Sequence, residues 1–153
     1  MHIPDGFLSP IIVVACFIIT FAVWAIAFKK ISNSLDERMV PAMALLTALF
    51  FATQMMNYPV VGGTTAHLLG GASLGIILGP WGGIVSVTII LVLQGLLFGD
   101  GGITALGANV LNMGVLGVLV PILFFTAYLK LSKGQTSSSA LSLPPFLVTL
   151  SLL

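Results

Sequence analysis

The amino-acid sequence predicts an all-α membrane protein, a polytopic bundle with about five to six spans. Hydrophobic residues make up 58% of its 153 residues and charged residues only 6%, whereas a soluble domain carries about 25% charged residues. The mean hydropathy is +1.20. Long apolar stretches alternate with short loops rich in glycine, proline and polar residues. Inside lipid such stretches must be helical, because a lone strand would leave its backbone without hydrogen bonds.

The first two helices are predicted from capping patterns. Ser9 and Pro10 are typical of an N-cap followed by proline in the first turn, so the first helix covers about residues 10–28. This stretch lacks a basic start and a cleavage site, and we interpret it as a retained helix rather than a signal peptide. The second helix covers about residues 40–56, with Pro41 in its first turn.

The middle of the chain is predicted to contain two helices with a break between them. After an irregular loop at residues 57–63, Thr64 and Thr65 are expected to cap a third helix that stops at Gly79–Pro80. A fourth helix covers about residues 82–98. In the third helix Gly71, Gly75 and Gly79 recur every four residues, a spacing that favours close packing against another helix.

A fifth helix is expected from about Thr104 or Ala108 to Leu129, with a kink at Pro121. The whole chain is then one membrane domain. Residues 1–9 form an N-terminal plug, residues 10–129 a five-helix core, and residues 130–153 a polar loop with an incomplete last span.

Five alternating spans place all the basic residues on one side of the membrane. The positive-inside rule makes that side cytoplasmic. The N-terminus, His67 and Asp100 then share the external face of a multi-pass protein of the cell membrane. The net charge of +1 and the absence of a basic run argue against a nucleic-acid partner. The basic residues are Lys29, Lys30, Arg38, Lys130 and Lys133.

The two histidines of the chain are the candidate metal ligands. The terminal amine of Met1, the amide nitrogen of His2 and the His2 imidazole can chelate one ion through small rings. His67 would complete a square of nitrogens, a geometry that suits Ni(II) or Cu(II) and into which Co(II) can be forced. Each histidine taken alone could instead be incidental. The plug has little apolar surface, so we expect the metal to order it.

Several polar side chains could orient these imidazoles. The alternative is that the amides pair with each other or with irregular backbone and that Asp5 serves only its turn. Met39 and Met43 could form a thioether site for Cu(I), although filling the core is the simpler role. The candidate orienting residues are Gln94, Asn109, Asn112, Asp5 and Asp100.

Three ordered motifs resemble the CbiM/NikM family, the substrate-binding membrane subunits of energy-coupling-factor importers for cobalt and nickel. They are the N-terminal nonapeptide MHIPDGFLS, the segment TAHLLGG at residues 65–71, and the run from Gln94 to Gly114 that includes GDGGIT and GAN. The resemblance extends to about Leu129. Family members are longer, with about seven spans.

The resemblance implies that Met1, His2 and His67 hold Ni(II) or Co(II), without deciding between the metals. It implies no prosthetic group. It also implies three kinds of partner: a transmembrane coupling subunit, a pair of ABC-type ATPases and a small accessory membrane subunit. ATP hydrolysis would belong to those partners, so the chain itself would not be an enzyme. The remaining alternatives are a membrane scaffold without metal and a Cu(I) channel that uses Met39 and Met43.

Overall fold

The computed structural model describes residues 2–32, 37, 39–56, 58–60 and 64–132, which form a bundle of apolar helices and one short hairpin. The elements in chain order are α1 (Pro10–Ser32), α2 (Met39–Gln54), β1 (Tyr58–Val60), β2 (Thr64–Ala66), α3 (Gly71–Leu97), α4 (Leu106–Asn109), a π-helical segment (Val110–Leu116) and α5 (Gly117–Ser132).

Helices α1 and α2 cover the outside of the bundle. α1 begins at Pro10, as predicted, and continues four residues past the predicted end at Phe28. Lys29 and Lys30 lie in its last turn, where the helix dipole favours cations. Large apolar side chains on both helices are exposed, for example Ile11 at 82% and Leu45 at 72%. Such exposure fits a surface that faces lipid.

The break predicted at Gly79–Pro80 is confirmed. Gly79 has φ 76° and ψ 169°, a conformation outside the helical region that glycine tolerates. The chain reverses direction at this break. Gly75 and Gly83, which lie on either side of it, are so close that a Cβ atom added to Gly83 would lie 2.7 Å from the Cα of Gly75. α3 is therefore two helical segments that fold back on each other, residues 71–78 and 80–97.

The predicted start of the third helix was wrong. Thr64 and Thr65 do not cap a helix but lie in β2, which pairs antiparallel with β1. The hairpin supplies the hydrogen bonds that a helix would have given, and β-branched residues suit a strand. The helix begins only at Gly71, so His67 lies in the irregular stretch between hairpin and helix.

The close packing predicted for the glycine series is confirmed at two of its three positions. A Cβ on Gly71 would lie 2.9 Å from the carbonyl oxygen of Gly117, and one on Gly75 would lie 2.7 Å from a methyl of Val118. α3 and α5 therefore approach closely at both points. Gly79, the third member, forms the chain reversal instead.

The last helical stretch begins at Leu106 and includes a wide π-helical turn that the sequence did not predict. The turn ends at Leu116, and Pro121 follows one turn later within α5. Pro121 has no N–H, so the carbonyl of Gly117 lacks its usual intrahelical partner. At the other end of this stretch, Thr20 of α1 donates a hydrogen bond to the carbonyl of Gly107, at 2.9 Å.

Three helices of the described part are long and apolar enough to cross a membrane, when α3 is counted as one: Pro10–Ser32, Gly71–Leu97 and Leu106–Leu131. α2 is also apolar but shorter. The core lies around α3, whose side chains Leu74, Ile84 and Ile90 are completely buried. The polar loop and last span predicted for residues 130–153 lie outside the described residues from position 133 onward.

Candidate metal centre

The N-terminal peptide lies on the loop between α3 and α4. The amide of Gly102 donates a hydrogen bond to the carbonyl of Ile3, at 3.0 Å. Asn109 contacts the same residue twice: its side-chain oxygen accepts from the Ile3 amide at 2.8 Å, and its side-chain nitrogen donates to the Ile3 carbonyl at 3.1 Å. These bonds fix the peptide one residue away from His2.

Asp5 attaches the peptide to the same loop at a second point. Its carboxylate accepts hydrogen bonds from the amide of Ile103 at 3.3 Å and from the amide of Thr104 at 2.8 Å, and also from the Thr104 hydroxyl. The hydrogen bonds from Thr104 are the main reason that the pKa of Asp5 lies below its usual value. Asp5 thus joins two chain segments, beyond the turn role that the sequence suggested.

Two glycines make room for the peptide. A Cβ on Gly101 would lie 2.9 Å from the Cβ of His2, and Gly101 has a φ of 106° that disfavours any other residue. A Cβ on Gly102 would collide with the backbone of Pro4 and Asp5. The Gly101–Gly102 pair therefore lets the backbone of the N-terminal peptide approach the loop directly.

The His2 ring lies in an enclosed position beside a carboxylate. Its side chain is only 3% exposed, and its Nδ1 atom lies 3.0 Å from a carboxylate oxygen of Asp100. Burial lowers the pKa of His2 below 6.5, and the neighbouring His67 acts in the same direction, while Asp100 opposes the shift. A neutral imidazole, the form that binds metals, is favoured.

His67 meets His2 although the two are far apart in the sequence. The two rings stack with their centroids 5.1 Å apart and their planes 20° from parallel. His67 is buried, and its Nδ1 atom lies 3.2 Å from the carbonyl oxygen of Leu68. Within the described part of the chain, the Nε2 atoms of both histidines are buried without a hydrogen-bond partner.

This arrangement could bind a metal only with help from the main chain. Among the described residues, no group of three His, Cys, Asp or Glu side chains is placed to hold an ion. Two imidazoles supply half of a square of nitrogens, so the other donors would have to be backbone atoms. Of the two predicted main-chain donors, the amide nitrogen of His2 lies within the described residues and the amine of Met1 lies outside them.

The other predicted orienting residues have different surroundings. Asn112 is exposed. Gln94 is completely buried, and its side-chain nitrogen lies 3.9 Å from the sulfur of Met55. Its backbone carbonyl accepts a hydrogen bond from the Asp100 amide at 3.0 Å, so Gln94 shapes the Asp100 loop through its main chain. Sequence reasoning missed Gln54, which is 1% exposed and whose side-chain oxygen has no hydrogen-bond partner among the described residues.

The two methionines considered for Cu(I) lie away from the histidines. Met39 begins α2, at the opposite end of the helix from Gln54 and the hairpin that leads to His67. Met43 packs against the hydrophobic core. Filling the core is the role that this placement favours.

Comparison with known proteins links the chain to metal transport. The CbiM family model, described as a cobalt uptake substrate-specific transmembrane region, matches residues 2–152. A fused nickel transport protein of Rhodobacter capsulatus is 43% identical over 120 residues, covering 78% of this chain and 35% of that protein. A cobalt transport protein of Clostridium tetani is 34% identical over 132 residues, covering 84% of this chain and 54% of that protein.

Two solved structures are also similar. A truncated transition metal transporter has a TM-score of 0.81 and 44% identity, with 86% of this chain and 62% of that chain covered. A second transition metal transporter has a TM-score of 0.76 and 42% identity, with 97% of this chain and 61% of that chain covered. This chain spans less than two thirds of each of these proteins.

Proposed function

Because the chain belongs to the CbiM family of cobalt and nickel transport membrane proteins, we propose that it is the metal-capture subunit of an ATP-driven importer for Ni(II) or Co(II). One observation carries this proposal: two stacked imidazoles, each with a buried Nε2 atom that has no hydrogen-bond partner among the described residues. A buried polar atom without a hydrogen bond costs roughly 1–3 kcal/mol. Binding a cation between the rings and the N-terminus would offset that cost.

The proposed ligands are the amine of Met1, the amide nitrogen and imidazole of His2, and the imidazole of His67. The amine and the amide close a five-membered ring on the ion. The amide and Nδ1 of His2 close a six-membered ring, which the more distant Nε2 cannot do. His2 is therefore expected to bind the metal through Nδ1.

Metal binding in this way requires the His2 ring to change its contact with Asp100. Nδ1 lies 3.0 Å from the carboxylate, and it cannot face the carboxylate and the metal together. A half-turn about the Cβ–Cγ bond moves Nε2 to the position of Cε1, next to the site that Nδ1 leaves. Asp100 can then accept a hydrogen bond from Nε2, the carboxylate–histidine–metal arrangement that orients many metal ligands.

We propose five membrane crossings with the histidines on the external side. Residues 71–78 form a segment of only about 12 Å at the standard helical rise, against a hydrocarbon core of about 30 Å. If Gly79 lies at the inner surface, His67 is well below the outer one. The positive N-terminal dipole of this segment disfavours a cation. Asp100 and the deprotonated amide of His2 would compensate.

The proposed partners are a transmembrane coupling subunit, an ABC-type ATPase pair, a small accessory membrane subunit and the lipid bilayer. ATP hydrolysis is assigned to the ATPases. The relatives that support this assignment are longer than the chain, which covers 35% of the nickel transport protein and 54% of the cobalt transport protein. Transport is therefore proposed for the complete assembly, and metal capture for these residues.

Metal titration of the purified chain in detergent tests the proposal. We expect one equivalent of Ni(II) to bind and to be diamagnetic, because square-planar nitrogen ligation pairs the electrons of this ion. His2→Ala and His67→Ala should each weaken binding, and Met43→Leu should leave it unchanged. Sulfur-to-metal absorption bands would favour the Cu(I) channel, and no binding of any metal would favour the scaffold. Competition between Ni(II) and Co(II) identifies the preferred ion.

A further inference from the structure

We infer that Asn109 is a positioning residue that fixes the register of the N-terminal peptide and so presents the donors of Met1 and His2 to His67. The inference rests on the proposed metal capture and deepens it. It concerns a side chain that would not touch the metal. Asn109 is 2% exposed and forms the end of α4, so a rigid helical backbone holds its carboxamide in place.

The carboxamide of Asn109 recognises both polar backbone groups of one residue, Ile3. The Ile3 amide belongs to the peptide unit that begins at His2, and the Ile3 carbonyl belongs to the unit that ends at Pro4. Holding both groups fixes the orientation of the chain on each side of Ile3. The nearest donor atoms of the proposed chelate are one residue away, so the same contact fixes where they point.

The neighbouring residue prevents a register slip in one direction. If the peptide moved so that Pro4 faced Asn109, the Asn109 oxygen would lose its donor, because proline has no N–H. Asn109 would then be a buried amide with an unpaired oxygen, which is unfavourable.

All of these contacts join protein groups to one another, so the hydrogen bonds that hold the N-terminal peptide on the loop do not involve the ion. This differs from the expectation that it is mainly the metal that orders the plug. A peptide already held in register loses less conformational freedom when the metal binds, and preorganisation of this kind raises affinity. Asn109 is expected to act on affinity without changing the set of ligands.

The test compares Asn109→Ala with Asn112→Ala, which removes an exposed carboxamide three residues along the chain. Ni(II) affinity should fall about 10- to 100-fold in Asn109→Ala, the usual range for residues that orient metal ligands, and stay unchanged in Asn112→Ala. The absorption spectrum at saturation should match the wild type in both variants. An altered spectrum in Asn109→Ala would mean a changed ligand set and would overturn the positioning role.

Amide hydrogen exchange at Ile3, measured on metal-free protein, tests the contacts between Asn109 and Ile3 in the absence of metal. We expect exchange at least tenfold faster in Asn109→Ala than in Asn112→Ala. If the wild type binds no metal, the proposed function fails, while this comparison still decides whether Asn109 holds the peptide. Unchanged exchange at Ile3 together with unchanged affinity would overturn the inference.

Two further variants cover the case in which Asn109→Ala fails to fold. Asn109→Asp keeps the volume and the acceptor for the Ile3 amide but loses the donor to the Ile3 carbonyl, so it should not restore full affinity. Asp5→Asn weakens the attachment of the same peptide to the loop. Asp5 is exposed, so this substitution does not disturb the core. A smaller loss of affinity with an unchanged spectrum is expected there. Wild-type Ni(II) affinity in both variants would contradict the idea that the contacts holding the N-terminal peptide determine metal affinity.

Discussion

The two imidazoles of the candidate metal centre are held in place by different means. His67 depends on its own neighbourhood: its ring contacts the carbonyl of Leu68, and the β1–β2 hairpin ends at the residue before it. His2 depends on residues about a hundred positions away. Its ring contacts Asp100, and its neighbour Ile3 is held by Asn109.

This difference predicts which changes disturb which half of the site. A change in the loop between α3 and α4 should displace His2 and leave His67 in position. A change at the N-terminus should remove three of the four proposed donors at once, because they come from two adjacent residues. The predictions that follow test this division, beginning with the largest expected effect.

Adding one residue before Met1 should abolish tight metal binding. The extension turns the terminal amine into an amide and shifts the chelate rings, while the His67 half of the site is untouched. The measurement is Ni(II) titration of the extended protein beside a version with a tag at the C-terminus. Equal affinity in the two would show that the amine is not a ligand.

His67→Ala should weaken metal binding but leave the fold intact. The His67 ring is buried, and its Nε2 atom has no hydrogen-bond partner in the part of the chain that the structure describes. Its removal therefore relieves a desolvation cost that partly offsets the lost packing. Thermal unfolding should show a cooperative transition within a few degrees of the wild type. Loss of that transition would favour a structural histidine instead of a metal ligand.

Gly101→Ala and Gly99→Ala form a matched pair that tests the His2 half alone. Both glycines have positive φ, 106° and 64°, so both substitutions strain the loop. A Cβ on Gly101 would lie 2.9 Å from the His2 side chain, whereas one on Gly99 would have no described residue within 4 Å. Metal affinity should fall about tenfold more in Gly101→Ala, within the usual range for orienting residues. Equal losses of metal affinity in the two variants would mean that loop strain causes the effect.

The packing of the His2 ring in its enclosed position should become less stable in acid. The pKa of His2 in the folded protein lies below 6.5, chiefly because of burial. The stability contributed by the neutral, seated ring is therefore present above pH 6.5 and is lost as the pH falls below that value toward the folded pKa. Ring titration followed by NMR should give a lower pKa than in the free hexapeptide MHIPDG. A pKa equal to that of the free peptide would contradict the buried position of the His2 ring.

Metal affinity should also rise with pH beyond that range, because the proposed amine and amide ligands release protons when they bind. His67→Ala should lower the affinity at each pH value but keep this rise, because the amine and the amide still release their protons. Parallel Ni(II) titrations of the two proteins at several pH values measure both effects. An affinity that does not change with pH would show that the amine and the amide are not ligands.

The helical fold was largely predictable because its patterns are local. Apolar stretches, Pro10 and the Gly79–Pro80 pair each act within one helical turn, and the structure places α1 and the break in α3 where they indicate. The start of the third helix was not predictable in the same way. Thr64 and Thr65 can cap a helix or pair in a strand, and the pairing with β1 decided between these outcomes.

The sequence by itself determined that the chain is an apolar helical bundle and that its two histidines are the residues to examine. Composition and local periodicity are sufficient for the first, because the hydrophobic effect and backbone hydrogen bonding act on short segments. Only the tertiary structure decided that the rings of His2 and His67 stack 5.1 Å apart. It also selected buried Asn109 over exposed Asn112, two residues that the sequence could not rank. Such contacts join residues about a hundred positions apart, and they exist only after the loop between α3 and α4 has folded beneath the N-terminal peptide.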